Sequence, residues 1–93
     1  MSRTFRTLGR EALLTMRAYI LIESTIGKAR EVARALGSAP EVSQCHLVTG
    51  PYDVIAVIEG SDANEIGSAV TRNVHGVPGV ARTVTCLAVD IQH

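Results

Sequence analysis

The chain has 93 residues, enough for one domain with a single small core, so a partner subunit would add to its stability. Its composition is 46% hydrophobic but only 3% aromatic, which predicts a core of aliphatic side chains. The formal net charge is zero, although residues 1–17 carry four arginines against one glutamate, a net charge of +3. A segment of this length cannot hold a helix-turn-helix, so we expect a solvated arm and no direct DNA binding.

The sequence predicts neither a membrane protein nor an enzyme. Its apolar runs are too short to cross a membrane, and no signal peptide precedes Cys45 and Cys86, so we expect a cytoplasmic protein with free, buried thiols. The histidines His46, His75 and His93 lack the spacing of metal ligands, and no phosphate-binding loop or nucleophile motif is present. We therefore predict no metal, no cofactor and no catalytic residue.

The first half of the chain predicts a strand followed by a helix. Residues 1–16 have no clear period and form an arm or a short helix, whereas a domain over residues 17–91 begins with the apolar strand Ala18–Ile22. Ser24 or Thr25 is expected to cap the next helix. Its buried stripe, at helical spacing, is Ala29, Val32, Ala33 and Leu36, and Gly37 ends it.

The second half repeats this order with an additional strand. The predicted strands are Val42–Thr49, Asp53–Glu59 and Val80–Ile91. A second helix begins at a capping-box-like pair, Asp62 and Glu65. Its apolar stripe is Ile66, Ala69, Val70 and Val74.

An internal repeat supports the order βαββαβ. Shifting the chain by 38 residues gives six identical pairs, among them Ala18 with Ala56 and Val32 with Val70, each at the same place in its element. Two such halves with right-handed crossovers make a ferredoxin-like α+β fold, a four-stranded antiparallel sheet with both helices on one face.

This fold leaves the other face of the sheet without a helix layer. The candidates for that face are Tyr19, Leu21, Ile55, Val57, Leu47, Thr83, Thr85 and Leu87. So many apolar side chains predict that a second subunit covers the face, giving a homodimer of stacked sheets, a dimeric α/β barrel.

The segment Gly50-Pro51-Tyr52-Asp53 is the one place where turn residues, an aromatic ring and a carboxylate meet. Gly50 allows the positive φ of a tight reversal, and Pro51 has a fixed φ and no backbone N–H to donate. Asp53 either braces the turn by accepting backbone hydrogen bonds or pairs with the ammonium group of a ligand. The hydroxyls of Thr83 and Thr85 are either ordinary strand residues or donors at an adjoining subunit.

These residues resemble a known family. The runs AYILIEST, CHLVTGPYD and VPGVARTVT, within residues 17–91, are similar to the effector-binding domain of the Lrp/AsnC regulators of amino-acid metabolism. The resemblance implies an effector site at Gly50, Pro51, Tyr52 and Asp53, with Thr83 and Thr85 contributing from the last strand. It also implies a homodimer that assembles into rings with amino acids bound between dimers.

Full-length members of the family carry a helix-turn-helix domain, which these 93 residues do not contain, so the chain is expected to be a stand-alone member. We therefore predict a non-catalytic module that binds an amino acid and oligomerises, with a full-length regulator as a possible partner. Two alternatives stay open. One is a small dimeric α/β-barrel monooxygenase or isomerase with His46 as its base, and the other is a purely structural assembly module.

Overall fold

The computed structural model describes residues 16–89, which form four strands and two helices in the predicted order βαββαβ. The elements are β1 (Met16–Ser24), α1 (Ala29–Gly37), β2 (Val42–Leu47), β3 (Val54–Gly60), α2 (Ala63–Asn73) and β4 (Val80–Leu87). The predicted N-terminal arm over residues 1–16 falls, except for Met16, outside the described residues.

The four strands form one antiparallel sheet in the order β2-β3-β1-β4. Its central pair shows the symmetry that the internal repeat predicts. Tyr19 pairs with Val57, which is its own counterpart 38 residues on, while Ala18 pairs with Ile58 and Ile20 with Ala56. The two halves of the chain are thus related by a local two-fold axis between β1 and β3, and the ferredoxin-like fold is confirmed.

The core lies between one face of the sheet and the two helices. The alternation of β1 buries Ala18, Ile20 and Ile22 completely. The helical stripes cover these residues as their spacing predicts; the buried helical side chains are Val32, Leu36, Ile66, Ala69 and Val70. These contacts form a single aliphatic cluster, so both helices are fixed on the same face.

The opposite face, called the open face below, is not covered by either of the two helices in residues 16–89. It carries Tyr19, Leu21 and Ile55, all partly exposed, and Val57, which is only 4% exposed. The prediction for the two outer strands was wrong, because four residues expected on this face lie on the helix side: Leu47, Thr83, Thr85 and Leu87.

Cross-strand pairing explains this correction. Thr85 is opposite Ile20 and Thr83 is opposite Ile22, and residues directly opposite each other share a face. Neither β2 nor β4 alternates regularly between apolar and polar residues, so their own sequence does not fix which residues face the helices. On β4, Val84 and Cys86 occupy the open-face positions.

Several predicted boundaries are also corrected. Strand β2 ends at Leu47 rather than Thr49, and β3 begins at Val54 rather than Asp53. Strand β4 ends at Leu87, two residues before the end of the described segment. The turn between β2 and β3 is therefore longer than its Gly-Pro pair indicates.

The predicted cap of α1 was wrong. The residue at the cap position is Lys28, which makes no side-chain cap hydrogen bond. Thr25 instead opens a tight turn in which its carbonyl accepts from the Lys28 amide at 3.0 Å. The Ser24 hydroxyl is used elsewhere, as described below.

The predicted cap of α2 is present. Asp62 Oδ1 accepts from the Glu65 amide at 2.8 Å. Glu65 reaches back one residue beyond the usual capping box, and its Oε1 accepts from both the amide and the hydroxyl of Ser61. These hydrogen bonds, the backbone one foremost, hold the pKa of Glu65 below its ordinary value.

The two cysteines differ from each other. Cys45 is partly buried, its Sγ lies 3.6 Å from the carbonyl oxygen of Ala33, and burial raises the pKa of its thiol. Cys86 is exposed on the open face, which corrects the prediction that both thiols are buried.

Neither helix in residues 16–89 has the length and apolar character needed to cross a membrane.

Candidate functional site

The turn predicted to carry the site joins β2 to β3 at one end of the sheet. Gly50 adopts a φ of +152°, in the region that favours glycine, as its place in the reversal predicts. The backbone of Asp53 is held from both sides. Its amide donates to the Ile22 carbonyl at 2.9 Å, and its carbonyl accepts from the Val48 amide at 2.8 Å. Asp53 is thus fixed between β1 and the end of β2.

The Asp53 carboxylate is partly buried and uses one of its two oxygens within the chain. Its Oδ2 accepts from the Ser24 amide at 2.8 Å and from the Ser24 hydroxyl at 3.1 Å. Within residues 16–89 no hydrogen bond reaches Oδ1. The carboxylate therefore braces the end of β1 and still has an acceptor to offer.

Asp53 lines a cleft of about 690 Å³, which lies between residues 24–27, the exposed flank of α1 and the end of β2. This volume is in the range of small-molecule sites. Besides Asp53, the cleft combines hydroxyl, guanidinium, carboxylate and apolar groups, contributed by Ser24, Thr25, Thr49, Arg30, Arg34, Glu31, Ile26 and Leu47. It can hold a small ligand that carries charges of both signs.

The other predicted site residues do not line this cleft. Gly50 and Pro51 are exposed on the turn, and Tyr52 is partly exposed beside Asp53. The two threonines lie on the far side of β1. Ile22 of β1 pairs with Val54 on one side and with Thr83 on the other. Thr83 and Val54 are therefore two strands, or about 10 Å, apart.

Thr83 and Thr85 therefore lie on the same sheet face as each other but are not brought next to Asp53 within one chain. The hydroxyl of Thr83 lies 3.5 Å from Nε2 of His75, at the edge of hydrogen-bond distance, and Thr85 is exposed.

Sequence reasoning missed three residues of the cleft, Ser24, Arg30 and Arg34. Ser24 precedes a helix and was interpreted as its cap, a role that the same residue type fills in many proteins. One feature of the sequence could have identified Arg30 and Arg34, namely their spacing. Like charges four residues apart on a helix destabilise it, which marks these positions as unusual for a solvated surface.

The remaining histidine candidates do not form a site with other groups. His46 is exposed on the open face of β2, and its Nε2 lies 3.3 Å from Gln44 Oε1. Among residues 16–89 no group of three or more histidine, cysteine or acidic side chains is arranged to hold a metal ion. His93 lies outside the described residues.

Comparison with known proteins identifies relatives of the chain. The curated HTH-type transcriptional regulator FL11 of Pyrococcus horikoshii is 32% identical over 73 residues, which are 78% of this chain and 48% of the regulator. The crystal structure of TTHA0845 from Thermus thermophilus has a TM-score of 0.75 and 31% identity, and covers 84% of this chain and 98% of that one.

A third relative has the same fold at lower identity. The transcriptional regulator NMB0573 of Neisseria meningitidis, solved as a complex with L-Met, has a TM-score of 0.74 and 24% identity; the match covers 99% of this chain and 63% of the regulator. One enzyme also contains a segment that is similar in sequence to this chain. Homocitrate synthase of Sulfurisphaera tokodaii is 30% identical over 77 residues, 83% of this chain but only 15% of the synthase.

The match to whole regulators is partial, since the chain spans between 39% and 48% of the curated transcriptional regulators that it matches. The matching family model is described as the Lrp/AsnC ligand binding domain, and it covers residues 17–91. Several of the curated relatives are transcriptional regulators, and the chain itself belongs to the family of Lrp/AsnC ligand-binding domains.

Proposed function

We propose that this chain is an amino-acid-binding module that assembles with other subunits, takes part in transcriptional regulation and catalyses no reaction. The observation that carries the proposal is the Oδ1 atom of Asp53 at the edge of the cleft, which accepts no hydrogen bond from the part of the chain that the structure describes. A fixed carboxylate with one unused acceptor suits the ammonium group of an amino acid. Guanidinium and hydroxyl groups in the same cleft suit its carboxylate.

We assign Gly50, Pro51, Tyr52 and Asp53 to the effector site as the turn that positions the carboxylate. Thr83 and Thr85 enter the proposal through a neighbouring subunit. Because Thr83 lies about 10 Å from the start of β3 in the same chain, and Thr85 lies two residues farther along β4, an amino acid at Asp53 would meet a threonine hydroxyl more readily across an interface. The effector would then bind between subunits, as the family resemblance implies.

Assembly is the second part of the proposal. The open face carries Tyr19, Leu21 and Ile55, which neither helix of residues 16–89 covers, and a second sheet packed on this face would bury them in a homodimer. These dimers would assemble further into rings. Because these 93 residues contain no DNA-binding domain, the bound amino acid would act on transcription through mixed assemblies with a full-length relative.

The absence of catalysis is likewise proposed. The matched family is regulatory, and the part of the homocitrate synthase that resembles this chain is 15% of that enzyme. His46, the base that the enzyme alternative requires, is exposed on the open face and bonded to Gln44 rather than set in a cleft. A His46→Ala substitution that has no effect in a turnover assay is consistent with the proposal, whereas turnover that depends on His46 would contradict it.

The test is calorimetric titration of the full chain with each of the common amino acids, combined with native mass spectrometry before and after addition. We expect at least one amino acid to bind and to change the oligomer distribution. Asp53→Asn should weaken that binding about tenfold or more, because it removes the charge that pairs with the ammonium group.

A matched control separates binding from folding. Asp62→Asn makes the same change at the cap of α2, away from the cleft, and should leave the amino-acid affinity unaltered. Binding of no amino acid, with an unchanged oligomer distribution, would overturn the sensing role and leave only structural assembly.

A further inference from the structure

Two arginines of the cleft, Arg30 and Arg34, have no carboxylate within ion-pair distance in residues 16–89. The other arginines of this part of the chain all do: Arg17 pairs with Glu59, Arg72 with Glu41 and Arg82 with Glu23. Glu31, which also lines the cleft, lies 3.7 Å from the ammonium group of Lys28. The cleft thus retains two guanidinium groups that no carboxylate of residues 16–89 compensates by an ion pair.

The internal repeat makes the contrast sharper. Arg34 and Arg72 are counterparts 38 residues apart, one on each helix. Arg72 is neutralised by a fork of two contacts to Glu41, at 2.6 and 3.1 Å. Arg34 occupies the equivalent helical position but faces the cleft, where no such partner is present in the described residues.

Arg30 and Arg34 stand one turn apart on the same flank of α1, and both are exposed to solvent in the cleft. Like charges at this spacing destabilise a helix, and a bound anion between them removes that penalty. Lys28 provides no side-chain cap at the start of α1, so the amides of the first turn add positive partial charge to the same space.

Apart from Glu31, whose carboxylate lies beside the ammonium group of Lys28, the charged groups of the cleft are two guanidinium groups and the carboxylate of Asp53, one oxygen of which accepts no hydrogen bond in residues 16–89. The ligand that complements them has one ammonium group and two carboxylates. We propose that the effector of this site is an acidic amino acid, with its ammonium at Asp53 and its two carboxylates at Arg30 and Arg34. This inference rests on the proposed amino-acid-binding function and specifies the class of amino acid.

The experiment compares glutamate and aspartate with glutamine, asparagine and leucine by calorimetric titration of the full chain. Glutamine and asparagine keep the shape of the acidic ligands and lose one charge. We expect the better acidic ligand to bind about tenfold or more tightly than its amide, and this ratio to shrink as salt rises from about 20 to 200 mM.

Arg30→Gln and Arg34→Gln should each reduce the affinity for the acidic amino acid about tenfold and reduce the preference over the amide. Arg72→Gln is the matched control, because it makes the same change at the counterpart of Arg34, outside the cleft, and should leave both affinities as they are. All three side chains are exposed, so thermal melting should show each variant folded.

The outcomes separate this inference from the function on which it rests. If a neutral amino acid binds as tightly as the acidic ones, the module binds amino acids but the assignment of class is wrong. If the arginine variants change the native mass and leave glutamate affinity intact, these arginines serve assembly and the assignment is again wrong. Equal binding of glutarate and glutamate would overturn the role of Asp53 at the ammonium group, and binding of no amino acid would overturn both proposals.

Discussion

The contact between Asp53 and Ser24 joins the turn before β3 to the end of β1, through two residues that are 29 positions apart in sequence. Two donors of one residue share a single carboxylate oxygen, and the group is partly buried, so each hydrogen bond is shielded from solvent on one side. The carboxylate thus has a structural role in addition to the proposed role in binding, and a substitution at Asp53 affects both.

A double-mutant cycle measures the structural part alone. Ser24→Ala removes the hydroxyl donor and should cost about 1 kcal/mol of unfolding free energy in the native background. In the Asp53→Ala background the same change should cost close to nothing, because its acceptor is already gone. Urea denaturation of the four proteins gives the coupling, and an equal cost in both backgrounds would show that the hydroxyl contributes nothing through Asp53.

Asp53 is predictable as a site residue from its local sequence and Ser24 is not, and the reason is physical. A carboxylate next to a Gly-Pro turn is unusual enough to be visible locally. Its partner is determined by the register of β1 against β3, which places Ile22 beside Val54 and Ser24 just beyond. Register depends on the assembled sheet, so no local pattern around Ser24 distinguishes this contact from a helix cap.

Gly79 is the residue at which a single added methyl group should be most costly. Its φ is +98°, and a Cβ built there would lie 2.9 Å from Lys28 Cβ and 3.1 Å from Val32 Cγ2. Gly79→Ala should therefore reduce the unfolding free energy by about 1–3 kcal/mol through backbone strain and overlap with α1. Urea denaturation provides the measurement.

Gly76→Ala is the control for this prediction, since a methyl group there meets nothing within 4 Å. It should change stability by less than about 0.5 kcal/mol. Similar losses for both variants would show that the close approach of Gly79 to α1 is not what constrains this loop.

Among the elements, the two helices show how far local patterns predict. Both apolar stripes are where their spacing places them, because a 3.6-residue period determines which residues face the sheet. Their starts differ. The cap of helix α2 is recognisable from two residues three positions apart, Asp62 and Glu65. Helix α1 instead begins after a tight turn that has no local cap signature.

The cap of α2 predicts a response to acid. The hydrogen bonds from Ser61 lower the pKa of Glu65 in the folded state, so the ionised form contributes stability at pH values above its unfolded pKa, near 4.5. That contribution is lost as the pH falls through the lower, folded value. The wild-type protein should therefore lose stability below about pH 5, and Glu65→Gln should lose less over the same interval.

Urea denaturation at pH 7 and pH 3 tests this prediction. Glu41 responds with the same sign, because hydrogen bonds from Arg72 and then Asn73 lower its pKa. The double variant with Glu41→Gln should accordingly be flatter still between the two pH values. A pH dependence of Glu65→Gln equal to that of the wild type would show that the Ser61 contacts do not favour the ionised form.

At the scale of the whole molecule, the central strands were predicted better than the outer ones. The internal repeat and the continuous apolar runs of β1 and β3 place their residues on the correct faces. The outer strands β2 and β4 mix exposed polar and apolar residues, and their faces follow from pairing with a neighbour rather than from their own sequence.

The open face supplies the last prediction. Leu21 and Ile55 are cross-strand partners near the middle of this face, and a glutamate at Leu21 would place a charge where the proposed homodimer packs its sheets. Leu21→Glu should convert the dimer into a monomer at micromolar concentration, as measured by light scattering after size exclusion. Since Leu21 points away from the helices, circular dichroism should show that the variant retains its fold.

Ala35→Glu adds the same charge on the exposed surface of α1 and should leave the dimer intact. If the wild-type chain is itself a monomer at these concentrations, or if Leu21→Glu has the dimer mass, the open face is not the subunit interface. Because the proposed rings, in which the amino acid binds between dimers, are built from these dimers, Leu21→Glu should also weaken amino-acid binding. Ala35→Glu should not, and this difference links the sheet face to the cleft at its end.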